Sequence, residues 1–266
     1  MLSRPSYPGA YPSQEKAPIL ALLPSDGDPR LLSLAMTLRG NRTERRLIAW
    51  ALPNEARSLR NRLRSTMLGL RGSGEANRAL RYMVESSARG HHVPVQDLPE
   101  LRAARTETLE GISQLSTDAL LVAGWSRHKQ PSAHSSFGEV LRAHPGALLF
   151  VMDCPAEPFA SALFVAVGSQ QHVSPALAQL CEQVELSYAC WTRRAADLKE
   201  LDNVLCETTD SDLVIISSEA TDADELEPLL ERLREAATKS TVGILLPEHA
   251  SREPLIQWVV RAAQPT

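Results

Sequence analysis

Along most of the chain, short unbroken apolar runs alternate with stretches whose apolar residues recur every three or four positions. The first run, 18–23, predicts a strand. Asp28-Pro29 then supplies an N-cap and an N1 proline for a helix carrying Leu31, Ala35 and Leu38 on one face. Residues 46–51 predict a second strand, and Pro53-Asn54 opens a helix with Ala56, Leu59, Leu63, Met67 and Leu70 as its apolar stripe. Gly72-Ser73-Gly74 interrupts it, and helical spacing resumes from Ala76 to Arg89. A short strand is expected over His92–Val95, then a helix through Leu101, Ala104, Thr108, Ile112 and Leu115. A strongly apolar strand at 118–124, a polar loop at 125–135, a helix at 136–144 and a strand at 147–152 follow.

Pro155 and Pro158 mark a junction, after which the same alternation restarts. Strands are expected at 161–168, 185–191, 212–218 and 241–246, and helices at 173–183, 194–207, 221–238 and 252–263. The penultimate and last strands are 28 residues apart in the first run (Ala119 to Ala147) and 29 in the second (Leu213 to Val242). From first to penultimate strand the spacing is 100 residues (Ile19 to Ala119) against 50 (Ala162 to Asp212), so the second run lacks about one strand–helix unit. Continuous apolar strands between amphipathic helices imply parallel pairing with both faces covered. The expected fold class is α/β, with two related open, mostly parallel sheets covered by helices on both faces. A flexible segment at 1–17 would precede a first half at 18–153 and a second, shorter half at 160–266.

With 266 residues, 43% hydrophobic and 23% charged, the chain has enough apolar content for a packed core, which excludes a disordered or fibrous protein. No apolar run approaches the ~20 residues that span a bilayer. Residues 1–17 are rich in Pro, Ser and Tyr without the apolar stretch of a signal peptide, so a cytoplasmic location is expected. Cys154, Cys181, Cys190 and Cys206 form no Cys-x-x-Cys pair and read as reduced thiols.

The net charge of −4 conceals an asymmetry: residues 1–152 sum to +7 (20 basic, 13 acidic) and residues 153–266 to −11 (8 basic, 19 acidic). Twelve arginines against four glutamates lie between Arg39 and Arg89. Such a face is ordinarily a solvated helix surface; its sharper reading is an electrostatic dock for an acidic partner or an anionic membrane. No nucleic-acid motif accompanies the arginines, and aromatics are only 5%, so nucleic acid is not expected as a partner.

Ligands of open α/β sheets bind beyond the carboxyl ends of the strands. Beyond the first strand stands Ser25-Asp26-Gly27-Asp28, where Asp26 could hold a ribose or an amine; Asp28 is equally an N-cap, and Asp26-Gly27 a turn. Beyond the 118–124 strand, Gly124, Ser126, Arg127, Ser135 and Ser136 are candidates to cradle a phosphate at a helix start. The histidines form no ligand cluster: His91 and His92 point to opposite faces of a strand, and His128 and His134 have no nearby carboxylate or thiol set, so no metal is expected. No nucleophile elbow or Walker loop is present, and no catalytic residue is nominated.

Two segments carry a more specific likeness. One is Pro18-Ile-Leu-Ala-Leu-Leu-Pro-Ser-Asp-Gly-Asp-Pro-Arg-Leu-Leu-Ser-Leu-Ala35, followed by Leu47-Ile-Ala49. The other is Leu109-Glu-Gly-Ile-Ser-Gln-Leu115, followed by Ala119-Leu-Leu-Val-Ala-Gly-Trp125. In order and content they resemble the C-terminal cytosolic domain of the cation–chloride cotransporters, over residues 17–152. The resemblance implies a non-catalytic regulatory module on the cytosolic side of a membrane transporter. It would dimerise with itself and act on the transmembrane part. Its fold would be similar to a tandem of universal-stress-protein units.

Stress proteins themselves supply the alternative, a free-standing tandem protein binding ATP or AMP. Their loop Gly-x-x-Gly-(nine residues)-Gly-Ser/Thr, laid from Gly124, meets Arg127, Phe137 and Gly138 at its other three positions. The Cβ of Arg127 and of Phe137, where the pattern has glycine, blocks close approach of backbone to phosphate, and Gly138 lacks the hydroxyl of Ser/Thr. Asp26 does match the acidic residue ending the first strand in that family. The expectation is therefore no resident cofactor, and a dimer whose encounter is helped by the Arg-rich region 39–89 meeting acidic surface from 182–235.

Overall fold

A computed structural model describes residues 18–23, 29–39, 46–51, 100–103, 119–125, 136–152, 161–168, 175–184, 189–207, 212–218, 223–237 and 241–262. The strands are β1 (Ile19–Leu23), β2 (Leu47–Ala51), β3 (Glu100–Ala103), β4 (Leu120–Trp125), β5 (Leu148–Met152), β6 (Ser161–Val167), β7 (Ala189–Ala195), β8 (Asp212–Ser218) and β9 (Thr241–Leu246). The described helices are α1 (Pro29–Arg39), α2 (Ser136–Ala143), α3 (Pro175–Val184), α4 (Leu198–Cys206), α5 (Ala223–Ala236) and α6 (Glu253–Ala262).

The nine described strands form one sheet in the order β3-β2-β1-β4-β5-β9-β8-β6-β7. The α/β class and the mostly parallel pairing are as the sequence predicts, but the two expected sheets are fused edge to edge. Every pair is parallel except β5 with β9, which run antiparallel in the register Leu148↔Leu246, Phe150↔Ile244 and Met152↔Val242. The first half reads β3-β2-β1-β4-β5 from edge to seam and the second β7-β6-β8-β9. These are the same order with the third strand lacking, which is the unit the strand spacing shows to be missing.

Helices cover both faces. Leu20, Leu121, Phe150, Val214 and Ile244 point to the face packed by α2, α4, α5 and α6. Ile19, Val122, Val151, Phe164 and Ile215 point to the face packed by α1 and α3. The missing strand explains the side on which α4 lies. The chain crosses outward from β6 to β7 through α3, then must return past β6 to reach β8. Right-handed crossovers in opposite directions put their helices on opposite faces.

The seam between the halves is closed on each side. On one face α1 touches α3; on the other, α6 lies against both α2 and α5. Gly243 in β9 makes room at this seam: a Cβ there would stand 3.1 Å from Leu149 Cδ1 and 3.3 Å from Val151 Cγ2. α6 is tied to α5 by Trp258, whose Nε1–H donates to Glu231 at 2.7 Å, and by Arg261 to Glu227 at 2.8 Å.

Two described strands depart from expectation. The strand predicted at His92–Val95 falls outside the described residues, and β3 occupies Glu100–Ala103, where a helix was expected to begin. Four residues after Pro99 fit either period, and parallel pairing with β2 decides for the strand. β7 runs over 189–195 rather than 185–191. As the outermost strand it leaves Trp191, Thr192, Arg193 and Arg194 exposed, so polar side chains cost it nothing. Its end is set by Asp197, whose side chain caps α4 by accepting from Glu200 N–H at 2.8 Å. The predicted helices between Pro53 and Arg89 lie outside the described residues.

Candidate functional site

The order of strands reverses between β1 and β4, so the carboxyl ends of these two strands frame the crevice where an open sheet places a ligand. α1 leaves from one side toward one face and α2 from the other side toward the opposite face. Of the six candidate residues, Gly124 is the penultimate residue of β4 and Ser136 begins α2. Asp26, Ser126, Arg127 and Ser135 lie outside the described residues, as do His128 and His134.

The glycines flanking this crevice have neighbours. A Cβ on Gly124 would meet Leu31 Cδ1 at 3.1 Å and the Val151 carbonyl oxygen at 3.6 Å. The absent side chain is what lets buried Leu31 of α1 lie directly over β4. A Cβ on Gly138 would meet Ile256 Cγ2 at 3.3 Å and Arg142 Nη1 at 3.4 Å. That glycine serves the approach of α2 to α6. Phe137, where a stress-protein loop has glycine, is buried and stacks edge-on to Phe150 with ring centroids 6.5 Å apart.

A second reversal lies between β6 and β8. Gly168 follows β6 with φ +124, a conformation that favours glycine, and Pro175 opens α3 as Pro29 opens α1. Ser217 and Ser218 at the end of β8 are buried polar residues.

The most perturbed titratable groups stand at the other end of the sheet. His144 follows α2 and is buried. Its Nε2 lies 3.0 Å from the Ala119 carbonyl and 3.2 Å from the Ala147 carbonyl, so Nε2–H donates to both. Burial, reinforced by the Arg252 guanidinium, pushes its pKa down to about 4, although the two backbone bonds act in the opposite direction. Arg252 precedes α6 and reaches into the same corner, donating from Nη2 to the Gly146 carbonyl at 2.9 Å. Burial lowers its pKa to about 10. Ala119 and Ala147 precede β4 and β5, so this cluster lies at the amino ends of the strands, away from the ligand-binding end. It pins the α2–β5 turn of the first half to the last helix of the second.

Beside it, exposed Arg142 of α2 makes a bidentate pair with Glu253 of α6, at 2.9 and 3.1 Å. This bonding holds Glu253 below the ordinary carboxylate range and raises Arg142. Among the described residues no three His, Cys, Asp or Glu side chains come together as a metal site, and no helix is long and apolar enough to cross a membrane. Sequence reasoning did not nominate His144 or Arg252. The turn His144-Pro145-Gly146 was the available signal, but Arg252 is 106 residues from the carbonyl it binds.

No protein-family model matches the chain, and comparison with curated proteins finds no relative.

Proposed function

We propose that this chain is a non-catalytic regulatory and dimerisation domain on the cytosolic side of a membrane cation–chloride cotransporter. The observation that carries the reading is the use made of the glycines at the first crevice. Gly124 lets helix α1 approach β4 through Leu31, and Gly138 lets α2 approach α6 through Ile256, so both serve packing between elements rather than the approach of a phosphate. Of the two perturbed groups, Arg252 joins the halves through the Gly146 carbonyl, and His144 is engaged with the Ala119 and Ala147 carbonyls of the first half. These features support a scaffold that transmits position, not a site that turns over a substrate. The partners are a second copy of the chain and the transmembrane part of the transporter. An anionic membrane surface facing the Arg-rich region 39–89 is a third.

The test is chloride-dependent rubidium uptake by vesicles carrying the complete gene product, with and without residues 18–262. The reading expects membrane spans elsewhere in that product and altered uptake on deletion. A reading frame without such spans refutes it. So does binding of ATP or AMP by the isolated chain with a micromolar dissociation constant in calorimetry, which would establish the stress-protein alternative.

A further inference from the structure

The outer edge of β7 is the place where the two halves differ most. β7 corresponds to β2: both pair in parallel with the first strand of their half. In the first half, the far edge of β2 is taken by β3. In the second half, among the described residues, no strand follows β7. Trp191, which occupies the register position of buried Ile48, is 56% exposed.

The polarity of this edge can be read from one bond. Gly168 N–H donates to the Ala195 carbonyl at 3.0 Å, so Ala195 turns its backbone groups toward β6. Alternation along the strand turns those of Arg193 and Trp191 the same way and presents the N–H and C=O of Thr192 to the open side.

We propose that β7 is the dimerisation edge and that its occupant is β7 of a second copy, antiparallel and centred on Thr192. This deepens the dimer part of the function proposed above and rests on that reading only there. A two-fold axis through a sheet keeps each face on its own side, so the two strands can meet only with a residue opposite itself. Thr192 is the midpoint of Ala189–Ala195, and only this centre uses the whole strand. It makes Thr192 a hydrogen-bonded pair with its own copy. It also sets Trp191 opposite Arg193 of the second copy, twice, as non-hydrogen-bonded pairs whose Cα atoms approach to about 4.5 Å. Indole and guanidinium at that spacing attract through the ring face. Centring on Arg193 or Arg194 would instead oppose like charges. Arg193 is already held by an ion pair to Glu207, which leaves its guanidinium plane free to stack.

Sedimentation equilibrium of the whole chain is the test, comparing wild type with Thr192→Pro and Trp191→Ala. Proline at 192 removes the edge-facing N–H and none that bonds β6, a position where an edge strand tolerates it. Circular dichroism and thermal melting verify folding of each variant. A wild-type dimer weakened roughly tenfold or more by each variant is expected. Under mild oxidation Thr192→Cys should form a covalent dimer above the wild-type background, because opposed Cα atoms of a hydrogen-bonded pair lie about 5.5 Å apart, within disulfide reach. Ala189→Cys should not. A dimer indifferent to both variants overturns this surface while leaving the dimer reading intact. A monomer at about 100 μM, far above the affinity of most specific complexes, overturns both, and the transport assay judges the membrane role independently.

Discussion

Replacing His144 by glutamine should change how the protein responds to acid more than it changes stability at neutral pH. The wild-type ring is neutral when folded, with a pKa of about 4, and returns to about 6.5 in the unfolded chain. Between those values the unfolded state binds the proton and the folded state does not. Stability therefore falls as pH drops from 6.5 toward 4, with a limiting slope of ~1.4 kcal/mol per pH unit. Above 6.5 this group contributes no pH dependence, and below 4 the loss is complete. Over the whole window it amounts to ~3 kcal/mol, a large share of the ~5–15 kcal/mol of a typical domain. Glutamine retains an N–H able to reach the Ala119 carbonyl but cannot titrate. Urea unfolding of both proteins at half-unit steps from pH 4 to 7.5, followed by circular dichroism, isolates the effect. Carboxylates titrating in the same range cancel in the difference between the two. The wild-type advantage should shrink steadily below pH 6.5 and vanish or reverse near 4. A difference that stays constant across the range refutes the assignment of a buried neutral histidine.

Gly243→Ala should cost ~1–3 kcal/mol in urea unfolding, because its methyl would stand 3.1 Å from Leu149 Cδ1 and 3.4 Å from the Phe150 carbonyl at the seam. Asp197→Ala should cost ~1 kcal/mol by removing the cap on α4, and Asp197→Asn should restore most of it. Arg142→Met should leave the unfolding midpoint nearly unchanged in 1 M salt, since its partner Glu253 is exposed and the pair is screened. If region 39–89 docks to membrane, the chain should float with vesicles containing phosphatidylserine at low salt and be released near 0.5 M, with neutral vesicles retaining none.

The central strands were legible because they are apolar on both faces. Leu213-Val-Ile-Ile216 admits no other reading at that length, and the structure buries all four residues. The missing third strand was legible from spacing alone. β7 was not, because Trp191-Thr-Arg-Arg194 carries no apolar continuity, and an edge that no described strand covers imposes none. The strand order left one consequence unread: returning past β6 moves α4 to the other face. At the crevice, the position of Gly124 at a strand end could be read from sequence, but what fills the space beside it could not. Leu31 and Val151 reach it from α1 and β5, and no local pattern encodes that. His144 and Arg252 were invisible for the same reason, since each binds a carbonyl far along the chain, Ala119 and Gly146 respectively.

The seam between β5 and β9 has a bearing on how the protein is made. β5 leaves the ribosome about 90 residues before its neighbour (Met152 to Thr241). Throughout that interval Leu148-Leu-Phe-Val-Met152, wholly buried at the end, has one open edge and the inner face that α6 will later cover. At typical elongation rates of about 5–20 residues per second the wait is ~5–20 s, long beside the microseconds to milliseconds in which strands and helices form. The nascent first half should therefore bind chaperones until the last strand arrives. Slow codons between Pro155 and Thr241 should lower its yield more than slow codons before Ile19.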